Sequence, residues 1–110
     1  MAWKKLCSRG DVPEDGLAKF EVDGVSVVVA NHGGAFHAFP PLCPHMAEPL
    51  EVSGMCADGV LTCTKHLWQW ELPSGNPVGD AEKPLLTYPV KCEGDTLLVE
   101  IEKELTYEYD

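Results

Sequence analysis

The sequence predicts an all-β domain: a small antiparallel sandwich or barrel with an irregular insert. Three observations lead there. Short apolar stretches recur at intervals of roughly 8–12 residues with turn residues between them, the spacing of sheet-built domains. Asp23-Gly24 parts two such stretches and is a strong two-residue hairpin signal. No long stretch repeats at the helical period.

Taken in order, Ala2 to Leu6 reads as a first strand, which Ser8-Arg9-Gly10-Asp11 and Pro13 end with room for one helical turn at most. Leu17 to Val22 alternates as a strand, with Ala18, Phe20 and Val22 on one side. Val25 to Ala30 is a β-branched run and reads as a central strand buried on both faces. Asn31-His32-Gly33-Gly34 turns the chain, and Ala35 to Phe39 returns. Pro40-Pro41 stops regular pairing, since neither residue has an N–H to donate. Met46 to Cys56 shows no period and reads as irregular structure. Asp58-Gly59 is a turn, Val60 to Thr62 a strand that delivers Cys63, and Gln69 to Leu72 the next strand. Pro73 to Pro77 is a tight turn and Val78 to Pro84 a loop. Leu85 to Lys91 and Thr96 to Ile101 close the scaffold as a hairpin through Glu93-Gly94-Asp95. The expected organisation is a base made of residues 1–39 and 84–110 with residues 40–83 inserted as a subdomain that carries the site.

A chain of 110 residues is one domain with a modest core. Residues 1–11 contain no apolar run, so neither a signal peptide nor a membrane span is expected. A cytoplasmic location follows, with reduced thiols, and a monomer is expected. Net charge is −10, from eighteen acids and eight bases. Nucleic acid is excluded as a partner, because binding it needs basic residues that displace counterions. An acidic surface instead steers the chain toward basic docking patches. Glu102 to Asp110 reads as a solvated tail. Of the five cysteines, Cys7, Cys56 and Cys92 read as small buried apolar residues.

The other two cysteines belong to a pattern. Cys43-Pro44-His45 is followed, after seventeen residues, by Cys63-Thr64-Lys65-His66. Each stretch supplies one thiolate and one imidazole. Placed on facing loops, they can set two sulfurs on one metal and two imidazoles on a second, with sulfides bridging. A single zinc is the bland reading, but zinc modules pair like ligands rather than interleaving them. A Cys43–Cys63 disulfide would explain neither histidine. His32 and His37 read H-x4-H, but the spacing falls across an expected turn and no carboxylate stands in place to complete an iron site, so surface or turn roles are assigned to both.

The alternating Cys, His, Cys, His ligands, with Pro44 inside the first pair and Leu67-Trp68 after the second, resemble the Rieske ferredoxins. The segment Gly59 to Trp68 looks most like the small ferredoxins that serve bacterial aromatic or alkene monooxygenases; ferredoxins of aromatic-ring dioxygenases are the runner-up. The resemblance implies the Rieske iron–sulfur fold and one [2Fe–2S] cluster, held by Cys43 and Cys63 on one iron and His45 and His66 on the other. It implies an electron carrier rather than an enzyme, taking electrons from an NADH-dependent flavin and iron–sulfur reductase and passing them to an oxygenase hydroxylase component. Met46 and Leu67 then form an apolar rim for docking or shield the cluster. Trp68 shields the cluster or meets a partner, and Trp70 packs in the core. The loop from Gly79 to Pro84 resembles the proline loop that covers the cluster in this family. High-potential members carry two further cysteines and two hydroxyl donors; here those positions hold Glu48, Lys65, Trp68 and Trp70. A potential at the low end of the Rieske window is therefore expected.

Overall fold

The structure is a computed structural model that describes residues 3–33, 35–42, 49–65, 67–72, 74–79, 81, 83–101 and 105. The expectations for Cys43 to Glu48, for His66 and for most of the acidic tail lie outside the described residues. Among the described residues, ten strands form three antiparallel sheets. The first sheet joins β1 (Trp3–Ser8) to β10 (Thr96–Glu100) and β10 to β9 (Val90–Glu93). In the second, β3 (Val25–His32) lies between β2 (Leu17–Val22) and β4 (Ala35–Phe39). The third runs in chain order: β5 (Gly54–Ala57), β6 (Val60–Cys63), β7 (Trp68–Glu71) and β8 (Pro77–Val78). Among the described residues the longest helix is α1 (Leu50–Ser53), a single turn. Among the same residues, no helix is long and apolar enough to cross a membrane.

The second sheet is the middle of the molecule, and the pleat of β3 shows why. Successive side chains of a strand point to opposite faces. Val27 and Val29 enter a core with Leu6, Cys7, Leu97 and Val99 of the first sheet. Val28 and Ala30 enter another with Leu61, Cys63 and Trp70 of the third. All four β3 residues are fully buried, so the β-branched run is the two-sided strand that the sequence implies. The hairpin into β3 closes with Val22 opposite Val25 across Asp23 and Gly24, both at positive φ (51° and 82°). That is the backbone twist that two-residue hairpins favour.

Four expectations change. Asn31 and His32 continue β3 instead of turning, because the Asn31 side-chain amide donates to the Val12 carbonyl at 2.8 Å and is satisfied within the fold. His32 and His37 lie on neighbouring strands, both half-buried, with the expected turn between them. The described part of Met46 to Cys56 is ordered as α1 and β5, which pack on Leu17 and β6. Pro77-Val78 adds a short strand to β7, while residues 85–89 contribute only the bridge Ala38↔Tyr88. Cys7 and Cys56 are buried, as expected, but Cys92 is exposed on β9 at the sheet edge.

Candidate metal centre

Cys63 ends β6 opposite Trp68, which begins β7, so Cys63, Thr64, Lys65 and Leu67 belong to the tip of a tight hairpin. The tip is closed by the Leu67 amide donating to the Cys63 carbonyl at 2.7 Å. Leu67 has φ of 60°, a left-handed conformation that an apolar residue adopts at a cost of about 1–2 kcal/mol. The residue is 71% exposed. Strain of this kind clusters at functional sites, and here it falls directly beside a predicted ligand.

The Cys63 end of β6 is held on its other side as well. On β5, Gly54 pairs with Cys63, and one rung further the Thr64 amide and hydroxyl both donate to the Ser53 carbonyl, at 2.8 and 2.6 Å. Ser53 ends α1, and Pro49 precedes it. Pro49 bridges to Leu42, and the Leu50 amide donates to the Pro41 carbonyl at 2.8 Å. The described residues on either side of 43–48, the stretch expected to carry the first ligand pair, are thus paired with each other. Leu50 is fully buried in the same core as Cys63, Trp68 and Trp70. Sequence reading missed α1, which is a single turn with no side-chain cap.

Cys63 itself is fully buried among Leu61, Trp68 and Trp70. A lone thiolate in apolar surroundings is costly, whereas a metal-bound one is not, so the donor fits a buried metal–sulfur group. Trp68 and Trp70 share the face that carries Cys63 and meet edge-to-face, with centroids 6.4 Å apart at 69°. Trp68 is buried, which favours shielding over partner contact. Trp70 donates its indole N–H to the Lys83 carbonyl at 2.8 Å, pinning the loop before Pro84 onto β7. At Gly75, where φ is 78°, a side chain would collide with the Leu85 carbonyl, and the Leu85 amide donates to Gly75 at 2.9 Å, so the far end of that loop is pinned as well. Pro84 itself is exposed.

His32 and His37 stay apart from this site. His32 lies 3.8 Å from the Asp15 carboxylate and beside Gly59, at the end of β6 away from Cys63. Burial, and secondly His32, hold the His37 pKa below its ordinary value.

Residues 2–89 match the family described as the Rieske [2Fe–2S] domain. The chain belongs to the Rieske [2Fe–2S] family. It is 50% identical over 110 residues to the methanesulfonate monooxygenase ferredoxin subunit of Methylosulfonomonas methylovora, covering all of this chain and 89% of that one. It is 32% identical over 94 residues to the ferredoxin component of the alkene monooxygenase system of Xanthobacter autotrophicus, covering 86% of this chain and 77% of that one. The ferredoxin of a carbazole 1,9a-dioxygenase, solved in complex with its oxygenase, superposes with a TM-score of 0.80 at 24% identity over 94% of this chain and 97% of that one. That likeness fixes the fold. The cofactor of the Rieske ferredoxin is one [2Fe–2S] cluster, which when bound takes up and gives back single electrons. The chain is an electron-transfer component of an oxygenase system rather than a catalyst in its own right.

Proposed function

We propose that Cys43 and Cys63 hold one iron and His45 and His66 the other, and that the chain carries one electron at a time from an NADH-dependent flavin and iron–sulfur reductase to the hydroxylase of a bacterial multicomponent monooxygenase. The observation that carries this reading is the 50% identity across the whole chain to a monooxygenase ferredoxin subunit. The described geometry supports it. Cys63 stands buried at one hairpin tip, and the flanks of residues 43–48 are tied to the same tip through α1. Leu67, exposed beside His66, belongs with Met46 to the apolar rim that meets the partner. Pro44 and Pro84 shape the loops around the cluster, and Trp68 screens it. Residues 40–83 form the cluster-bearing unit and residues 1–39 with 84–110 its base, in a cytoplasmic monomer.

Purified protein should be brown, with two irons and two acid-labile sulfides per chain, and once reduced it should give the low average g value of a mixed His/Cys cluster. A colourless zinc protein would end the proposal. Replacing Cys63 with serine, or His66 with a residue that cannot coordinate, should abolish the colour. The hydroxylase sets which compound is oxidised. Reconstitution with the hydroxylases of methanesulfonate, alkene and aromatic monooxygenases should restore turnover with one of them; turnover only with a ring-hydroxylating dioxygenase would reassign the partner.

A further inference from the structure

Two loops that grip one cluster between them must be held in a fixed relation. No disulfide can do this here, since the remaining cysteines lie elsewhere: Cys7 on β1, Cys56 on β5 and Cys92 on β9. We propose that the contact of Thr64 with the Ser53 carbonyl is the fastener between the two ligand loops, and that Thr64 is a positioning residue for the cluster. The proposal rests on the ligand assignment above.

The geometry is specific. Thr64 follows Cys63 directly and gives both its donors to one acceptor: the amide at 2.8 Å and the hydroxyl at 2.6 Å. The amide bond alone would extend the β5–β6 ladder by one rung. The hydroxyl is an addition that the ladder does not need, and Thr64 is exposed enough for water to have satisfied it. The acceptor is rigid. Ser53 is buried at the end of α1, and its amide donates back to the Pro49 carbonyl at 2.9 Å. Pro49 is the residue at which the first loop closes against Leu42. Gly54, next in the chain, has no room for a side chain, because a Cβ there would collide with the Leu50 carbonyl and crowd Leu17. The helical turn is therefore clamped against β5, and the Ser53 carbonyl stands at a fixed place. From Thr64 the connection runs through Ser53 and one helical turn to the exit of the first loop. The second loop cannot shift against the first without breaking it.

The test uses the cluster-loaded protein with Thr64→Val, which keeps the branched shape and the amide but removes the hydroxyl, and Thr64→Ser, which keeps the hydroxyl. Iron release to a strong chelator, followed by bleaching of the visible absorption, should be about fivefold faster in Thr64→Val, the factor that one net hydrogen bond corresponds to. Thr64→Ser should release iron at close to the wild-type rate. Amide exchange followed by mass spectrometry should rise in Thr64→Val within peptides covering 49–53 and 63–68 and stay unchanged across β2 to β4. A role in general stability would instead raise exchange everywhere. Unchanged iron release in Thr64→Val, failure of Thr64→Ser to rescue, or exchange that rises equally in β2 to β4 would overturn the proposal. Wild-type protein lacking iron and sulfide would sink the ligand assignment instead, and the exchange comparison would still report on the fastener.

Discussion

Replacing Trp70 with phenylalanine asks whether one side chain both fills the site's core and holds its covering loop. Trp70 is fully buried, packs edge-on against Trp68 and donates to the Lys83 carbonyl at 2.8 Å. Phenylalanine keeps an aromatic ring but has no donor and less volume. Losing the hydrogen bond costs about 1 kcal/mol. Losing the packing of the fused ring costs roughly 1–2 kcal/mol, at the lower end of large-to-small core changes. The sum, about 2–3 kcal/mol, is a sizeable share of the roughly 5–15 kcal/mol that stabilises a domain of this size. At roughly 4 °C per kcal/mol it should lower the unfolding temperature by about 8–12 °C. Thermal unfolding followed together by far-ultraviolet circular dichroism and visible absorbance measures it, and the two signals should move together because core and cover are released at once. Trp70→Ala should cost about 3–5 kcal/mol through the lost burial and the cavity together. A shift below roughly 3 °C for Trp70→Phe would refute the reasoning, since neither the burial nor the hydrogen bond would then matter.

Asn31→Ala should cost about 1–3 kcal/mol in urea unfolding, because it strips the Val12 carbonyl of its buried amide donor. His37, held below its ordinary pKa of 6.5 by burial and by His32, binds a proton less readily folded than unfolded. Its contribution to stability is therefore present above about pH 6.5 and lost as the pH falls below that, and His37→Gln should flatten that acid limb of a urea-midpoint profile. Burial first, and Asp11 second, push the Cys7 thiol from 9.0 up to about 11. The unfolded chain then gives up this proton before the folded one does, so stability should decline between about pH 9 and pH 11, and Cys7→Ala should remove part of that decline.

The scaffold was legible where local chemistry and tertiary packing agree. The Asp23-Gly24 and Asp58-Gly59 dipeptides take the positive φ values that such turns need, and β2 and β4 end where their alternation ends. Val25 to Ala30 announced burial on both sides because it lacks any polar face. Elements that depend on partners far along the chain were harder to see. Asn31 looks like a turn residue until Val12, nineteen positions earlier, offers it an acceptor. Leu50 to Ser53 is too short for a period to show, and its helix exists because Leu50 is drawn into the core beside Cys63. Cys92 was misplaced because thiol chemistry favours burial on average, while β9 lies at the edge of its sheet. The proposed ligands stand out in the sequence by their alternating order and spacing. The tie from Thr64 to Ser53 does not, because nothing in a sequence says which carbonyl a threonine hydroxyl will find.

The reduction potential follows from where donors point. Hydrogen bonds to cluster sulfurs stabilise the added electron and raise the potential. Two of the positions at which such donors would stand hold Trp68 and Trp70. Tryptophan has a single donor, its indole N–H. In Trp70 that donor is committed to the Lys83 carbonyl at 2.8 Å, so it is spent on holding the covering loop and cannot serve a sulfur. The net charge of −10 acts in the same direction, because surrounding negative charge disfavours a further electron. Both effects place the midpoint in the lower part of the window of about −150 to +300 mV that mixed His/Cys clusters span. A redox titration at pH 7 should find it below about 0 mV. A midpoint near the top of the window would mean that donors other than the tryptophans reach the sulfurs, and that the commitment of Trp70 to the loop has no electronic consequence.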